Sequence, residues 1–408
     1  MKRDFGFKFL LYSRIFRSVA LIFMTLAAPI YLNSINISIT NIGIIYAGVM
    51  VFSAVLSISL GTFGDRHGYR KALILGEIPP LVGSMLLFAT PNTAIVTLGV
   101  IIAGIGGIAG GMRGTFSPGM TALIARNYPD NNIRVRKFSV LVMAASAASI
   151  IGALVLVSQS YIQPYVGTVA AFRVLFGVAA VFIMVSLISL IFLEEAPTPV
   201  KSTKVMKGVS FRYMSKIVVL NAISGSALGI SLPLLPLLFA IAFKLTEQTT
   251  ALYIGIIYIP AYLATLLGSY LSRRYVKGKM MIRIASLTRF LNGAFLILLG
   301  VVFAMQYYGI LIFLPLLFLA SLLYSCRSFI SGFGSSSISA VSINGLDRED
   351  YGTATSVQNL ALNFAQTSSG LSGYLIEAAL PLPLFIGGLI QMFGGLLYPI
   401  LLKNKQHK

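Results

Sequence analysis

The spacing of apolar residues constrains this chain more than any other feature. Twelve apolar segments follow one another along the 408 residues, and each is long enough to cross a bilayer as a helix of about 20 residues. No room is left for a sizeable soluble domain, so the predicted fold class is an all-α polytopic membrane protein with twelve transmembrane helices. The segments cover residues 9-32, 41-61, 72-90, 95-124, 138-158, 169-193, 215-240, 251-272, 281-304, 309-333, 353-376 and 382-402.

Charged side chains are too few for a soluble protein of this length. They make up 10% of the residues, whereas 57% are hydrophobic, and ordinary globular domains carry about 25% charged residues. The formal net charge of +20 would suggest nucleic-acid binding in a soluble chain. A chain this apolar cannot cover itself with polar surface, however. Soluble enzymes, disordered basic proteins and nucleic-acid-binding proteins are therefore excluded, and an integral membrane protein remains.

The positive charges predict the orientation of the chain in the membrane. Of the 31 lysines and arginines, 24 lie in connections on the side of the N-terminus, and only Lys244 lies in the opposite connections. Basic connections stay in the cytoplasm, which predicts a multi-pass plasma-membrane protein with both termini cytoplasmic and with membrane lipid as a partner. Arg14 and Arg17 interrupt the first apolar segment, and similar segments follow it, so we interpret it as a retained helix rather than a signal peptide.

The longest polar connection divides the twelve segments six and six. The predicted domains are an N-terminal six-helix bundle, a cytoplasmic linker and a C-terminal six-helix bundle, over residues 1-193, 194-214 and 215-408. An offset of 207 residues aligns the halves, since it places Gly268 on Gly61 and Arg273 on Arg66. A parallel duplication of this kind predicts two pseudo-symmetric bundles with a binding site between them.

The connection between the second and third segments carries a short motif. Residues 61–73 read G-T-F-G-D-R-H-G-Y-R-K-A-L. This string resembles the signature loop of the major facilitator superfamily, G-x-L-a-D-r-x-G-r-k-x-x-l. The matching residues are Gly61, Asp65, Arg66, Gly68, Arg70 and Leu73, and the departures are Phe63, Gly64 and Tyr69. The resemblance implies the twelve-helix fold of that superfamily and the function of a secondary transporter.

In that superfamily the loop latches the two bundles together at the cytoplasmic face. The resemblance therefore implies a gating motif formed by Gly61, Asp65, Arg66, Gly68 and Arg70. Asp65 is expected to reach the start of the eleventh helix near residues 351–353, because a helix N-terminus stabilises a carboxylate. Arg66 and Arg70 are expected near the acids of residues 347–350. The alternative is a solvated turn that only obeys the positive-inside rule. In the second half Ser272 replaces the acid.

Three arginines lie inside apolar segments that line the central cavity in this superfamily, namely Arg17, Arg113 and Arg327. An ionised side chain near the bilayer centre costs at least about 2.5 to 3.5 kcal/mol, so each of them needs a reason. Guanidinium groups bind carboxylate and phosphate in a bidentate manner, which makes these arginines candidates for binding an anionic substrate. The alternatives are pairing with a buried acid or with backbone carbonyls, and snorkelling from a helix end.

Glu77 is the only carboxylate clearly inside an apolar segment. An ionisable group in that position is a functional candidate, and for Glu77 the candidate function is to carry a coupled proton. The third helix is peripheral in the superfamily, however, and Glu77 lies near its cytoplasmic end. A structural role as the partner of Arg14, Arg17 or Arg113 is therefore the favoured alternative.

Uncharged polar residues form a second set of candidates for substrate binding. Asn359, Asn363 and Gln366 share one face of the eleventh helix. Asn221 lies on the seventh helix, which is expected to break around Pro233 and Pro236. Polar stripes of this kind either bind substrate or join helix to helix by hydrogen bonds. We assign Asn221 and Asn363 to substrate or lining water, and both roles stay open for the other two.

The sequence predicts a secondary active transporter that moves a small molecule by alternating access. The positive charge of the cavity helices favours an organic anion or metabolite, and a proton is the candidate coupling ion. No Walker G-x-x-x-x-G-K-[ST] string occurs, so ATP does not drive transport directly. The alternatives are a multidrug exporter, whose arginine and glycine–proline patterns in helices four and five are absent here, and a transport-dead sensor or scaffold on the same fold.

Cysteine and histidine are too scarce for a redox or metal centre. One cysteine and two histidines exclude an intramolecular disulfide and a Cys/His metal cluster. We therefore predict no metal and no cofactor. An intramembrane enzyme is not expected either, because neither histidine nor Cys326 has a companion that would make it a catalytic base or nucleophile. The predicted state is a monomer.

Overall fold

A computed structural model describes residues 6–105, 117–128, 131–196, 208–275, 280–310, 313–343, 346 and 351–402 of the chain. Regular structure in these ranges is helical, without strands. The α-helices are α1 Phe7–Ser34, α2 Ile39–His67, α3 Tyr69–Ala89, α4 Thr93–Ala103, α5 Ser117–Asn127, α6 Asn131–Val166, α7 Thr168–Ile191, α8 Gly208–Ser231, α9 Leu235–Ala242, α10 Glu247–Tyr275, α11 Met281–Tyr307, α12 Phe313–Ile343, α13 Tyr351–Ala365, α14 Ser369–Ala378 and α15 Leu382–Leu402.

The twelve predicted membrane segments and the all-α fold class are confirmed. Among the described residues, ten helical stretches are long and apolar enough to cross a membrane, and α8 with α9 counts as one of them. A long apolar helix is the expected form, because in lipid every backbone N–H and C=O must be bonded within the protein. The eleventh predicted segment is built from two shorter helices, α13 and α14. In the fourth, the described residues form α4 and α5.

Two spans are interrupted near their middle. The seventh ends as α8 at Ser231 and resumes as α9 at Leu235, which confirms the break predicted around Pro233 and Pro236. Proline lacks a backbone N–H and clashes with the preceding turn, so the helix cannot pass through it undisturbed. In the eleventh span a short 3₁₀ turn, Gln366–Ser368, separates α13 from α14.

The tenth helix continues ten residues beyond its predicted end. We expected it to stop at residue 333, and α12 instead runs to Ile343. The added stretch is rich in serine, which the hydropathy pattern excluded from the span. The hydroxyls of these serines bond to carbonyls of the preceding turn, so they are satisfied inside the helix and need no water. The bonds run from Ser335 to Gly332, from Ser339 to Ser335 and from Ser342 to Ile338.

The helices run alternately between two faces of the protein. We call the face where α1 begins and α15 ends the termini face, and the opposite face the far face. Residues 6–196 are called the N-terminal half and residues 208–402 the C-terminal half. Because successive spans alternate in direction, Thr40 and Thr168 of the N-terminal half lie at the far face, as do Glu247 and Glu377 of the C-terminal half.

Buried apolar side chains are distributed unequally between the faces. One large cluster joins both halves and includes Phe23 and Tyr46 from the first half together with Phe239 and Tyr258 from the second. Towards the termini face, a second cluster around Leu73 lies in the N-terminal half only. A third cluster there, around Tyr213, belongs to the C-terminal half only. The halves therefore share their core towards the far face and have separate cores towards the termini face.

Candidate functional site

Arg17 is paired with the acid that lies inside the helices of the N-terminal half. Its Nη1 atom lies 2.6 Å from Oε2 of Glu77, and the two side chains are 7% and 4% exposed. Arg14, one turn earlier on α1, is buried beside them and interacts electrostatically with both. Its Nε and Nη2 atoms have no hydrogen-bond partner within the described part of the chain. This geometry favours the structural alternative for Glu77, with one carboxylate shared by two guanidinium groups.

Arg327 of α12 has a different environment. It is 5% exposed, and its Nε atom has no hydrogen-bond partner among the described residues. The guanidinium carbon lies 5.9 Å from the ring centre of Tyr324, one turn earlier on the same helix. Arg289 of α11 is also buried and lies close enough to repel Arg327 electrostatically. Two positive charges thus occur together in the C-terminal half.

Two tyrosines, Tyr258 and Tyr324, lie close to Arg327, and a third, Tyr262, packs against Tyr258. The ring centres of Tyr258 and Tyr324 lie 4.9 Å apart, and those of Tyr258 and Tyr262 lie 6.0 Å apart. The hydroxyl of Tyr262 is buried and has no hydrogen-bond partner among the described residues. Tyrosine hydroxyls and a guanidinium group are hydrogen-bond donors that suit an acceptor with negative charge. We call Arg289, Arg327 and the three tyrosines the arginine–tyrosine cluster.

The predicted polar candidates have separate environments. The amide nitrogen of Asn221 donates to the carbonyl of Gln358 over 3.2 Å, so this side chain joins α8 to α13. Gln366 is buried at the start of the 3₁₀ turn. Asn359 and Asn363 are half-buried on α13. Those two side chains therefore stay accessible, whereas Asn221 takes part in helix packing.

Some predicted contacts fall outside the described residues. Arg113 lies in the stretch 106–116 and the acids near the eleventh helix lie in residues 347–350, so neither is placed. The side chains of Asp65 and of residues 351–353 are not described either. The predicted latch between Asp65 and the eleventh helix therefore stays a prediction.

The signature motif forms a turn of a single residue. α2 continues through residues 61–67 to His67, and α3 starts at Tyr69. Gly68 between them has a φ of +100°, which side chains rarely adopt. A Cβ atom on Gly68 would also lie 2.9 Å from Oε2 of Glu195. A glycine is thus required here by both the backbone angle and the neighbouring acid.

Glu195 binds the start of α3 from the end of the N-terminal half. Its Oε1 accepts the backbone N–H of Tyr69 at 2.9 Å, and its Oε2 accepts that of Arg70 at 2.8 Å. The carboxylate also forms an ion pair with Arg126 at the end of α5. Negative charge at a helix N-terminus is stabilising, and N–H groups there have no partner within the helix. Glu195 therefore fixes the motif turn to α5 within one half of the protein.

The other motif residues differ in how tightly they are held. The guanidinium group of Arg70 donates to the carbonyl of Ile191 in the same half. Arg66 is exposed. A Cβ atom on Gly61 would meet nothing within 4 Å, so packing does not require a glycine there. Within the described residues, Arg70 and Gly68 support the turn, and Arg66 remains available to solvent or to a partner.

Two departures from the family pattern compensate each other. A Cβ atom on Gly64 would lie 2.6 Å from the ring of Tyr69, so the small residue makes room for the large one.

In the second half, Ser272 at the position of the acid is buried and shares a hydrogen bond with Ser336 of α12. That copy of the motif is thus packed within its own half.

Sequence reasoning missed several residues that matter here. Glu195 was assigned only to the linker, because nothing in the chain links it to Tyr69, 126 residues away. The tyrosines did leave a signal, since Tyr258 and Tyr262 are four residues apart and Tyr324 and Arg327 are three apart. These spacings put each pair on one helix face. As for metals, no group of three potential ligands comes together among the residues that the structure describes.

Known proteins resemble this chain in fold and, over part of its length, in sequence. A segment of 120 residues is 29% identical to the methylenomycin A resistance protein of Bacillus subtilis, and it covers 29% of this chain and 24% of that protein. The solved structure of an autoinhibited POT family peptide transporter superposes with a TM-score of 0.73 at 11% identity, over 99% of this chain and 98% of that one. At these identities the structures show the fold alone.

A further structure and a family model complete the comparison. A human organic anion transporter superposes with a TM-score of 0.68 at 14% identity, over 96% of this chain and 98% of that one. The sequence model of the Major Facilitator Superfamily matches residues 10–370. That match covers most of the chain and includes the motif at residues 61–73. The chain therefore belongs to the Major Facilitator Superfamily of membrane transporters.

Proposed function

We propose that this protein is a secondary transporter that carries a small organic anion across the plasma membrane by alternating access. Arg327 is the residue that binds the anionic group. The observation that carries the proposal is the pair of buried arginines, Arg289 and Arg327, which lie beside tyrosines and form no ion pair with a carboxylate among the described residues. The positive-inside rule supports cytoplasmic termini, so the far face is the external one.

The energetic argument rests on the contrast between the two halves. Removing a guanidinium ion from water costs several kcal/mol, and Arg17 recovers this through Glu77 at 2.6 Å. Arg327 faces the ring of Tyr324, and a desolvated cation–π contact contributes only about 2 kcal/mol. The repulsion from Arg289 works against it further. A carboxylate or phosphate group of a substrate would supply the missing charge and accept two parallel N–H bonds.

The remaining candidates have supporting roles in this proposal. Asn359 and Asn363 are half-buried on α13 and line the substrate path. Arg113 stays a proposed anion ligand on sequence grounds. Arg17 and Glu77 form a structural pair, so we assign no proton-carrying role to Glu77. Asn221 holds α8 to α13. Gln366 is buried, and its Nε2 atom has no hydrogen-bond partner among the described residues, so it stays a candidate ligand.

An exporter of antibiotics is the second candidate function. The observation that favours it is the 29% identity over 120 residues to a methylenomycin A resistance protein. Both candidates use the same fold and differ in substrate and direction. Export of cationic dyes from proteoliposomes would support the exporter, because the arginine–tyrosine cluster should reject cations.

The test begins with a thermal-shift screen of the purified protein against sodium benzoate, citrate and phosphate, with ethidium as the cationic probe. We expect at least one of the anions to raise the melting temperature, because a ligand that binds only the folded state stabilises it. Uptake of the best labelled anion into proteoliposomes is then measured. Arg327→Gln should abolish the thermal shift and the uptake, and Arg327→Lys should retain part of both because it keeps the charge.

A matched control separates loss of the binding group from loss of a membrane arginine in general. Arg173 also lies within a spanning helix, but it donates to the carbonyls of Phe88 and Ala89 at 3.0 and 2.8 Å. Arg173→Gln should leave the anion-dependent thermal shift unchanged. Uptake that persists in a folded Arg327→Gln protein would refute the proposed role of Arg327.

A further inference from the structure

Two carboxylates of the C-terminal half bind the N-terminal half at the far face. Oε1 of Glu377, in the last turn of α14, accepts the backbone N–H of Thr40 in the first turn of α2 at 3.0 Å. Oε2 of Glu247, at the start of α10, accepts the hydroxyl of Thr168 at the start of α7 at 2.8 Å. Both contacts are hydrogen bonds from one half of the protein to the other.

The two contacts are related by the internal duplication. The offset of 207 residues that aligns the halves places Glu247 on Thr40, and it places Glu377 two residues from the counterpart of Thr168. One contact joins the ends of α2 and α14, and the other joins the ends of α7 and α10. Two bonds related by a pseudo-twofold axis hold both sides of the interface and oppose any tilt of one half against the other.

Helices of the two halves also approach closely on each side of the interface. A Cβ atom on Gly43 of α2 would lie 2.8 Å from the backbone nitrogen of Gly373 on α14, and one on Gly373 would overlap the carbonyl of Ile39. On the other side, a Cβ atom on Gly255 of α10 would lie 2.9 Å from the carbonyl of Ala153 on α6. Glycine at these positions lets the helices of the two halves touch, as at other close helix contacts in membranes.

The bond at Thr168 is supported from inside the protein. Nε2 of the buried Gln159 donates to Oε1 of Gln163 at 3.1 Å, and Nε2 of Gln163 donates to Oγ1 of Thr168 at 2.9 Å. Because Thr168 accepts from Gln163, its own hydroxyl hydrogen points at Glu247. This chain of amides fixes the donor in the orientation that the carboxylate needs.

We propose that Glu247 and Glu377 are the outer-gate residues of this transporter, which hold the far face closed until the halves rock apart. The proposal rests on the alternating-access function proposed above. Opening the far face must break both bonds and separate the apolar core that the halves share there. Towards the termini face the cores are separate, so rocking about the middle of the protein leaves them intact.

The test measures distances across the far face in the absence of substrate. Spin labels are attached at Thr93→Cys in the N-terminal half and Tyr308→Cys in the C-terminal half, both exposed, in a Cys326→Ser protein in lipid nanodiscs. Pulsed electron paramagnetic resonance should give one short distance between the two labels in this parent protein. Glu247→Ala with Glu377→Ala should raise the ratio of long to short distances at least roughly fivefold, the change expected for loss of one ordinary hydrogen bond.

Further variants show whether the bonds themselves are responsible. Thr168→Val removes the donor to Glu247, so it should shift the distances as Glu247→Ala does, and the two together should shift them no further. Gly373→Ala should open the far face sterically. Gly48→Ala is its matched control, because a Cβ atom there meets only the flexible end of Ile101 in the same half. It should leave the distances unchanged.

The result that would overturn the proposal is an unchanged distance distribution in the double glutamate variant. A shift in Gly373→Ala without a shift in the glutamate variants would overturn it as well, because the packing alone would then close the gate. Neither result bears on anion binding at Arg327, which is measured by the thermal shift. Failure of the gate and failure of the proposed substrate class are therefore distinguishable.

Discussion

Removing the carboxylate of Glu77 should destabilise the protein strongly. Nη1 of Arg17 and Oε2 of Glu77 are 2.6 Å apart, and the two side chains are 7% and 4% exposed. Water therefore cannot replace either partner. Glu77→Gln leaves Arg14 and Arg17 buried next to each other without a counter-charge. Breaking a buried ion pair by removing one partner costs about 3–5 kcal/mol, whereas an exposed pair contributes about 0–1 kcal/mol. We therefore expect a loss of about 3–5 kcal/mol in the free energy of unfolding.

The assay is unfolding of the purified variants in detergent, followed by intrinsic tyrosine fluorescence or by light scattering. Arg17→Gln is measured alone and together with Glu77→Gln. The double variant should be more stable than Glu77→Gln alone, because it no longer contains the unpaired guanidinium of Arg17. A Glu77→Gln protein that unfolds like the wild type, and loses only accumulation driven by a pH gradient, would refute this reasoning and would make Glu77 the proton carrier.

Three further results are expected. Gly68→Ala should destabilise by about 1–3 kcal/mol because of its φ of +100° and the contact with Glu195, whereas Gly61→Ala should keep or raise the melting temperature. Glu195→Ala should cost about 1.5–3 kcal/mol in chemical unfolding, since two N-terminal N–H groups of α3 and one arginine lose their acceptor. Thr40, through its side chain and its backbone N–H, holds the pKa of Glu377 below its usual range. The bond to Thr40 is therefore present at neutral pH and is lost as the pH falls through that lowered pKa. The long distance between the labels across the far face should then appear only below about pH 4.3, the ordinary pKa of glutamate.

Local patterns in the sequence predicted the architecture well. Twelve hydropathy segments became the spans, and Pro233 and Pro236 located the interruption of the seventh. These features depend on residues that are close together in the chain. A membrane helix bonds its own backbone N–H and C=O groups, so a run of apolar residues is enough to predict it. The end of α12 was missed for a related reason, since hydropathy does not register serines that bond to their own helix.

Contacts between distant residues could not be predicted in the same way. The pairing of Arg17 with Glu77 was one of three alternatives, because the sequence does not say which arginine faces α3. Glu195 bonds to residues 125 and 126 positions away, and Glu377 to one 337 positions away. The residues around a single acid at a helix end do not indicate which distant residue the acid will bind. Such contacts are set by tertiary packing, which a single sequence does not reveal.

The buried charges are distributed differently in the two halves, which suggests a different role in transport for each half. In the N-terminal half the buried acid Glu77 pairs with Arg17. In the C-terminal half no described carboxylate pairs with Arg289 or Arg327, and both gate acids lie at the far face. A substrate can shift the balance between open and closed states only by binding one of them better. An anion on Arg327 would do so if the closed state lets it also reach polar groups of the N-terminal half. The binding energy of the anion would then add to the two carboxylate bonds in stabilising the closed state, so weakening the gate should raise the anion concentration needed to close it.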